Sequence, residues 1–212
     1  MTHTLYGSQG SGSAAIEVAL HLCDLPFRVV RASTWENDSA QAELARANPL
    51  KQIPTLILQD GSVLSESAAI LIHLGLNHPT SGLLPNSPKA RAQIIRGLVF
   101  IAANCYSAIG IIDYPERWTL ADATQAHEAL KAGAKRRLHA TWEMFADTFA
   151  SAMSKANEPI NALDILLAVV SKWSGTRAHL AEHRPEFFAM LKRIDSHESV
   201  APIFNEHWPV KN

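Results

Sequence analysis

The hydrophobic pattern changes character once along the chain. Up to about residue 80, short apolar runs alternate with helical ones. Thr4-Leu5-Tyr6 and Phe27-Arg28-Val29-Val30 read as strands, and between them Ala14–Cys23 places Ile16, Ala19, Leu20 and Cys23 on one helical face. Strand, helix and strand in that order predict a right-handed βαβ unit with parallel strands. Ser39–Ala47 reads as a short polar helix. Ile53-Pro54-Thr55-Leu56-Ile57-Leu58 is a β-branched strand opened by a proline, which has no N–H for a sheet ladder and belongs at a strand's start or edge. Asp60-Gly61 predicts a two-residue hairpin turn that returns Ser62-Val63-Leu64 antiparallel. Ser65-Glu66-Ser67 then opens a helix over Ala68–Leu74, with hydroxyls expected to cap it and a carboxylate in its first turn.

Beyond Ser81–Pro88, where Gly and Pro interrupt any helix, no stretch reads as a strand. Lys89–Ile112 predicts a long helix carrying Ile94, Leu98, Ile101 and Cys105, and Ala121–Ala152 predicts another, with a break near Gly133. Asn161-Ala162-Leu163-Asp164 is a capping box. It opens Ile165–Trp173, apolar nearly all round and therefore a buried central helix. Pro185–Ile194 reads as the last helix, and the tail to Asn212 as chain draped over the surface. The order of elements predicts an α/β thioredoxin-like N-terminal domain over residues 1–80, a linker over 81–88 and an all-α C-terminal domain over 89–212.

Composition narrows the function classes. The 212 residues are 47% apolar and 18% charged, as in a globular protein, and the net charge of -1 leaves no electrostatic footprint for nucleic acid. Lys135-Arg136-Arg137 reads as a solvated helix face. Met1-Thr2-His3-Thr4 lacks the basic and apolar regions of a secretory signal, and no run of about eighteen apolar residues stands out, so no membrane-spanning segment is expected. Cys23 and Cys105 lie in apolar helical patterns and read as reduced core residues, which agrees with an expected cytoplasmic home. His179-Leu180-Ala181-Glu182-His183 has two histidines at i, i+4, but its Glu is not where a metalloprotease motif needs a general base. No metal is expected.

The chemistry concentrates between Asn48 and Leu74. A residue before proline is extended, so the N–H and C=O of Ile53 can pair with a bound extended peptide. A helix N-terminus at Glu66-Ser67 offers N–H groups and a hydroxyl to a carboxylate, and Glu66 offers a charge to an ammonium. Such a set suits a small zwitterionic peptide, of which glutathione is the natural candidate.

Asn48-Pro49, Ile53-Pro54-Thr55-Leu56 and Glu66-Ser67-Ala68-Ala69-Ile70 together resemble the glutathione-binding half of the bacterial cytosolic glutathione S-transferases. The resemblance implies a cis peptide at Pro54, contacts from Lys51 and Gln52 to the glycyl end, a backbone pair from Ile53, and Glu66 with Ser67 at the γ-glutamyl end. It implies glutathione as co-substrate, activated as thiolate for attack on a small hydrophobic electrophile held against the second domain, where Tyr106, Tyr114 and Trp118 supply aromatic surface. It also implies a homodimer, with the helix from Lys89 at the interface. Only the thiolate attacks, so a donor must face the sulfur. Lowering the thiol pKa by about two units takes about 2.7 kcal/mol, within reach of one hydrogen bond and a helix N-terminus. Ser8, Ser11, Ser13 and Tyr6 are the candidates, Ser11 first, then Ser13 and Tyr6. Here the chain departs from the family, since the position that holds cysteine in beta-class-like members falls on Gly12. Backbone N–H groups alone remain an alternative.

Other readings stay open. Glutathione can instead reduce disulfides or peroxides, although the Gly7–Ser13 loop has no cysteine, or the fold can be a non-catalytic glutathione-binding protein. Gly10-Ser11-Gly12-Ser13-Ala14-Ala15 also matches a dinucleotide fingerprint, with Arg31 as a 2′-phosphate reader. Against it, the chain turns antiparallel at Asp60-Gly61 and then becomes all-helical.

Overall fold

The computed structural model describes residues 2–120, 124–155 and 158–209. Strands β1 (His3–Gly7), β2 (Phe27–Arg31), β3 (Thr55–Ile57) and β4 (Val63–Leu64) form one sheet in the order β2-β1-β3-β4. β1 and β2 are parallel, with Leu5 opposite Val29, and the crossover between them is helix α1 (Ser13–Leu22). β3 runs antiparallel to β1, with Leu5 opposite Leu56. Pleating sends neighbouring side chains to opposite faces. Leu5 and Leu56 therefore join the main core beneath α1 and α3 (Ser67–Asn77). Tyr6 joins a smaller cluster with Ala32 and Leu44 beneath α2 (Gln41–Ala47) on the other face.

Two local details differ from the sequence reading. The hairpin has a three-residue loop, Gln59-Asp60-Gly61, closed by Leu58 N–H to Ser62 C=O at 2.8 Å, not a two-residue turn. Gly61 at φ 87° takes the left-handed position, and the Asp60 carboxylate accepts the Ser62 N–H at 2.8 Å. At α3, Glu66 is itself the N-cap, at φ 66°, and no side chain caps the helix. The expected hydroxyl cap is absent, which leaves the first N–H groups open.

The connection between the domains is packed. Leu83 and Leu84 are buried, and the Leu83 C=O accepts the Ala162 N–H at 2.9 Å. Ser87 caps α4 (Pro88–Phe100), which continues through a π turn (Ile101–Tyr106) into α5 (Ser107–Asp113). An eighteen-residue window of this continuous helix has mean hydropathy 1.7, so by length and composition alone it is long and apolar enough to cross a membrane. In the fold, Ile94, Leu98, Ile101 and Cys105 face the core, though only 39% of that window is buried.

Helix α6 (Thr124–Phe149) runs through Gly133 without a break. A lone glycine costs a helix about 1 kcal/mol, less than the burial of Leu138, Trp142 and Phe145 on the same helix recovers. Residues 121–123, where that helix was expected to begin, lie outside the described residues. α7 (Ala162–Val170) is buried at every position. Its capping box is complete: Asn161 Oδ1 accepts the Leu163 and Asp164 N–H groups, and Asp164 accepts the Asn161 N–H at 3.0 Å. α8 (Thr176–His183) was not foreseen, because it buries only Thr176 and Leu180 and so has almost no apolar stripe. α9 spans Pro185–Asp195. As far as residue 209 the tail is not draped: Ala201–His207 form α10, which buries Ile203, Phe204 and His207 and packs on α1. Residues 210–212 lie outside the described residues.

Candidate functional site

Gly12 caps the N-terminus of α1 at φ -62° and is the point where both domains meet. A Cβ there would lie 2.9 Å from the Tyr106 hydroxyl, 3.4 Å from Pro54 Cδ and 3.6 Å from Ser67 Oγ. Tyr106 reaches this point from the last residue of the π turn, so the phenol occupies the space that a side chain at position 12 would fill. Its hydroxyl is buried with no hydrogen-bond partner among the described residues. Burial pushes the Tyr106 phenol up to about 12; the nearby Ser67 hydroxyl opposes the shift and Glu66 adds to it. At neutral pH the group is thus uncharged and able to donate a hydrogen bond. The Tyr106 ring stands 5.9 Å from Trp173, whose indole N–H reaches the Gly10 C=O at 3.3 Å.

The second wall is the turn before β3. The Ile53-Pro54 peptide is cis, as the family resemblance implied. The ladder with β1 begins only at Thr55, and no hydrogen bond among the described residues takes up the Ile53 N–H or C=O. Buried Asn48 shapes this turn: its amide donates to the Gln52 C=O at 3.2 Å and to Thr55 Oγ1 at 3.0 Å, while its carbonyl accepts the Leu50 N–H. Lys51 and Gln52 are exposed beside it. Glu66, exposed and at positive φ, and buried Ser67 open α3 directly opposite Gly12. A non-glycine residue held at positive φ is a strained conformation that tends to occur at ligand sites.

The hydroxyls ranked first from sequence point elsewhere. Ser11 Oγ accepts the Ser8 and Ser13 N–H groups and donates to Ser13 Oγ at 3.0 Å. Ser13 Oγ donates to Glu17 at 3.1 Å. Tyr6 lies on the α2 face of the sheet and donates to Glu43 at 2.7 Å; burial, then that bond, raises its pKa. Ser8 Oγ donates to Glu36 at 3.0 Å. Tyr106, placed by sequence among the co-substrate aromatics, is instead the hydroxyl at the junction. A sequence signal existed, since an empty position 12 leaves room for a donor from elsewhere, but nothing in the sequence says which donor arrives.

The remaining candidates sort quickly. Arg31 is committed to Glu36 at 2.7 Å, and the sheet has one parallel pair, so the dinucleotide reading has neither its reader nor its sheet. Arg117 stacks 3.9 Å over the Tyr114 ring, and Trp118 is exposed. His179 stacks on His139 at 4.3 Å and bonds Glu143 at 2.8 Å, and no group of three metal-ligating side chains occurs among the described residues.

Residues 13–76 match the family described as glutathione S-transferase, N-terminal domain. An uncharacterised GST-like protein of Escherichia coli, YncG, is 38% identical over 129 residues, 60% of each chain. Glutathione S-transferase D7 of Drosophila melanogaster is 35% identical over 99 residues, 46% of this chain and 44% of the relative. The matched region thus spans about half of these relatives' length. A solved glutathione transferase homologue from Sulfitobacter, with glutathione bound, superposes with a TM-score of 0.81 over 95% of this chain and 96% of that one, at 22% identity.

Proposed function

We propose that this chain, which has the fold of the bacterial glutathione S-transferases and their N-terminal domain at residues 13–76, is a glutathione transferase that binds glutathione along Ile53 and α3 and activates its sulfur beneath Tyr106. One observation carries the reading. A backbone free of hydrogen bonds at Ile53, an uncapped helix start at Glu66-Ser67 and the buried Tyr106 hydroxyl converge on Gly12. Glutathione complements each part: its γ-glutamyl end meets Ser67, the open α3 N–H groups and Glu66, and its cysteinyl backbone pairs with Ile53. Lys51 and Gln52 stand at the glycyl end. The sulfur needs a donor, and the Tyr106 O–H beside Gly12 is a buried side-chain hydroxyl placed to provide it. A phenol pushed up to about 12 stays protonated while the thiol ionises, so it donates to the thiolate without competing for the negative charge.

The thiolate then attacks an electrophilic carbon of a small apolar substrate; the C–S bond forms as the leaving group departs with its electron pair, and the thiol proton goes to solvent. Trp173 beside Tyr106 supports an aromatic wall for that substrate. Ser11, Ser13 and Tyr6 act through the loop and sheet rather than on sulfur. Exposed Val99 on α4, with Leu76 and Leu50 also exposed, supports a homodimer, and the expected setting is cytoplasmic detoxification.

Calorimetric titration with reduced and S-methyl glutathione tests the reading. Binding of both, with proton release only for the thiol, is the expected result. Binding of both without proton release leaves a glutathione-binding protein, and no binding refutes the proposal.

A further inference from the structure

We infer that His207 is a positioning residue for the sulfur site, forming with Glu17 a two-ended brace that sets the Gly10–Gly12 backbone from the C-terminal helix; the inference rests on the glutathione reading above. Glu17 lies on α1 within the buried run Ser13–Leu20, and its side chain is only 12% exposed. A carboxylate in such a place is costly unless it is bonded. It accepts from Ser13 Oγ at 3.1 Å and from His207 Nε2 at 2.9 Å. The other ring nitrogen of His207, Nδ1, accepts the Gly10 N–H at 3.1 Å. Because Nδ1 accepts, the ring proton must sit on Nε2, where it is donated to Glu17. One imidazole thereby joins α1 to the loop in front of it.

The grip on Gly10 is double. Its N–H is held by His207 and its C=O by the Trp173 indole, both from the C-terminal domain, while Gln9 donates to the Glu206 C=O at 2.7 Å. Gly10, at φ 72°, is at a conformation open to glycine, and because glycine is the most flexible residue the outside contacts serve to restrict it. The bonded run Ser11–Ser13–Glu17–His207 continues the brace inward. This gives the two serines a role in loop geometry. Gly12, two residues from Gly10, must stay in register with Pro54, Ser67 and Tyr106, and an ångström of drift there misplaces the sulfur.

The test compares His207→Gln with His207→Phe. Glutamine carries an acceptor and a donor that can serve Gly10 and Glu17; phenylalanine keeps the ring and loses both bonds. His207→Phe is expected to keep glutathione affinity within about threefold, since Ile53, Glu66 and Ser67 hold the peptide, while kcat falls about tenfold or more; His207→Gln recovers most of that loss. If wild-type protein binds glutathione but turns over no electrophile, ultraviolet thiolate absorbance of the bound thiol at fixed pH replaces kcat. Should His207→Phe fail to fold, Trp173→Phe removes the other bond to Gly10 and is expected to show the same split. An unchanged kcat or thiolate signal, equal damage in the Gln and Phe variants, or a loss of affinity that matches the loss of rate overturns the brace. Failure of wild-type protein to bind glutathione instead overturns the earlier reading, on which this one depends.

Discussion

Tyr106→Phe separates the proposed chemistry from the fold because the two respond with opposite signs. The phenol O–H is buried and unpartnered, so removing it relieves a desolvation cost of about 1–3 kcal/mol in the free protein. The variant should therefore unfold at a denaturant midpoint no lower than the parent's. In the proposed glutathione complex the same O–H would donate to a thiolate, a charge-assisted bond of about 1.5–3 kcal/mol. At about 1.4 kcal/mol per unit, its loss raises the bound thiol's pKa by about 1–2 units. The sign follows: a higher thiol pKa means less thiolate at every pH below it, so kcat/KM falls about 10- to 100-fold there, and the deficit closes as pH rises past the new pKa. The assay is the pH profile of kcat/KM together with thiolate absorbance of the complex. An unchanged thiol pKa with parental rate would refute the assignment of Tyr106. Gly12→Ala supplies the partner variant. Its φ of -62° tolerates alanine, but the new Cβ would stand 2.9 Å from the phenol oxygen and push it aside. The Gly12→Ala/Tyr106→Phe double variant should be no slower than the worse single one, because both remove the same bond; additive losses would mean that Gly12 acts independently of Tyr106.

Three further outcomes follow from individual contacts. Ser67→Ala should weaken glutathione binding by about 1–2 kcal/mol, roughly 5- to 30-fold in Kd by calorimetry, since it removes a hydroxyl at the γ-glutamyl end. Asn161→Ala should cost about 1–2 kcal/mol in urea unfolding, because it deletes two bonds to the first turn of α7, with kcat per folded molecule unchanged. The Arg31 guanidinium, opposed by partial burial, holds the Glu36 carboxyl down to about 2 from its ordinary 4.5. A depressed carboxylate stabilises the fold above its unfolded pKa, so Glu36→Gln should be less stable than the parent at neutral pH. The difference should narrow as pH falls from 4.5 toward about 2, and a constant difference across that window would contradict the pairing.

The line between sequence and fold runs through particular residues. The βαβ start, the antiparallel return, the capping box at Asn161 and the buried α7 were all legible, because each rests on contacts within a few residues: hydrophobic period, proline and glycine conformations, and caps. The set Ile53, Pro54, Glu66 and Ser67, to which the proposed function assigns the ligand, was legible for the same reason, lying within one strand–hairpin–helix. The donor proposed for the sulfur was not. Ser11 and Ser13 sit at plausible spacing from α1, but the rotation of a short loop decides whether a hydroxyl faces the ligand or its own helix, and Glu17 with His207 draws them inward. Tyr106 enters at Gly12 only because a π turn and the docking of two domains carry it there. His207 reaches Gly10 from nearly the far end of the chain, in a tail whose apolar residues lack a clear period. Local steric and hydrophobic rules act over one or two turns of chain and are written in the order of residues. A hydrogen bond between positions almost two hundred residues apart depends on how whole elements pack, and that is settled only by burying all of their surfaces at once.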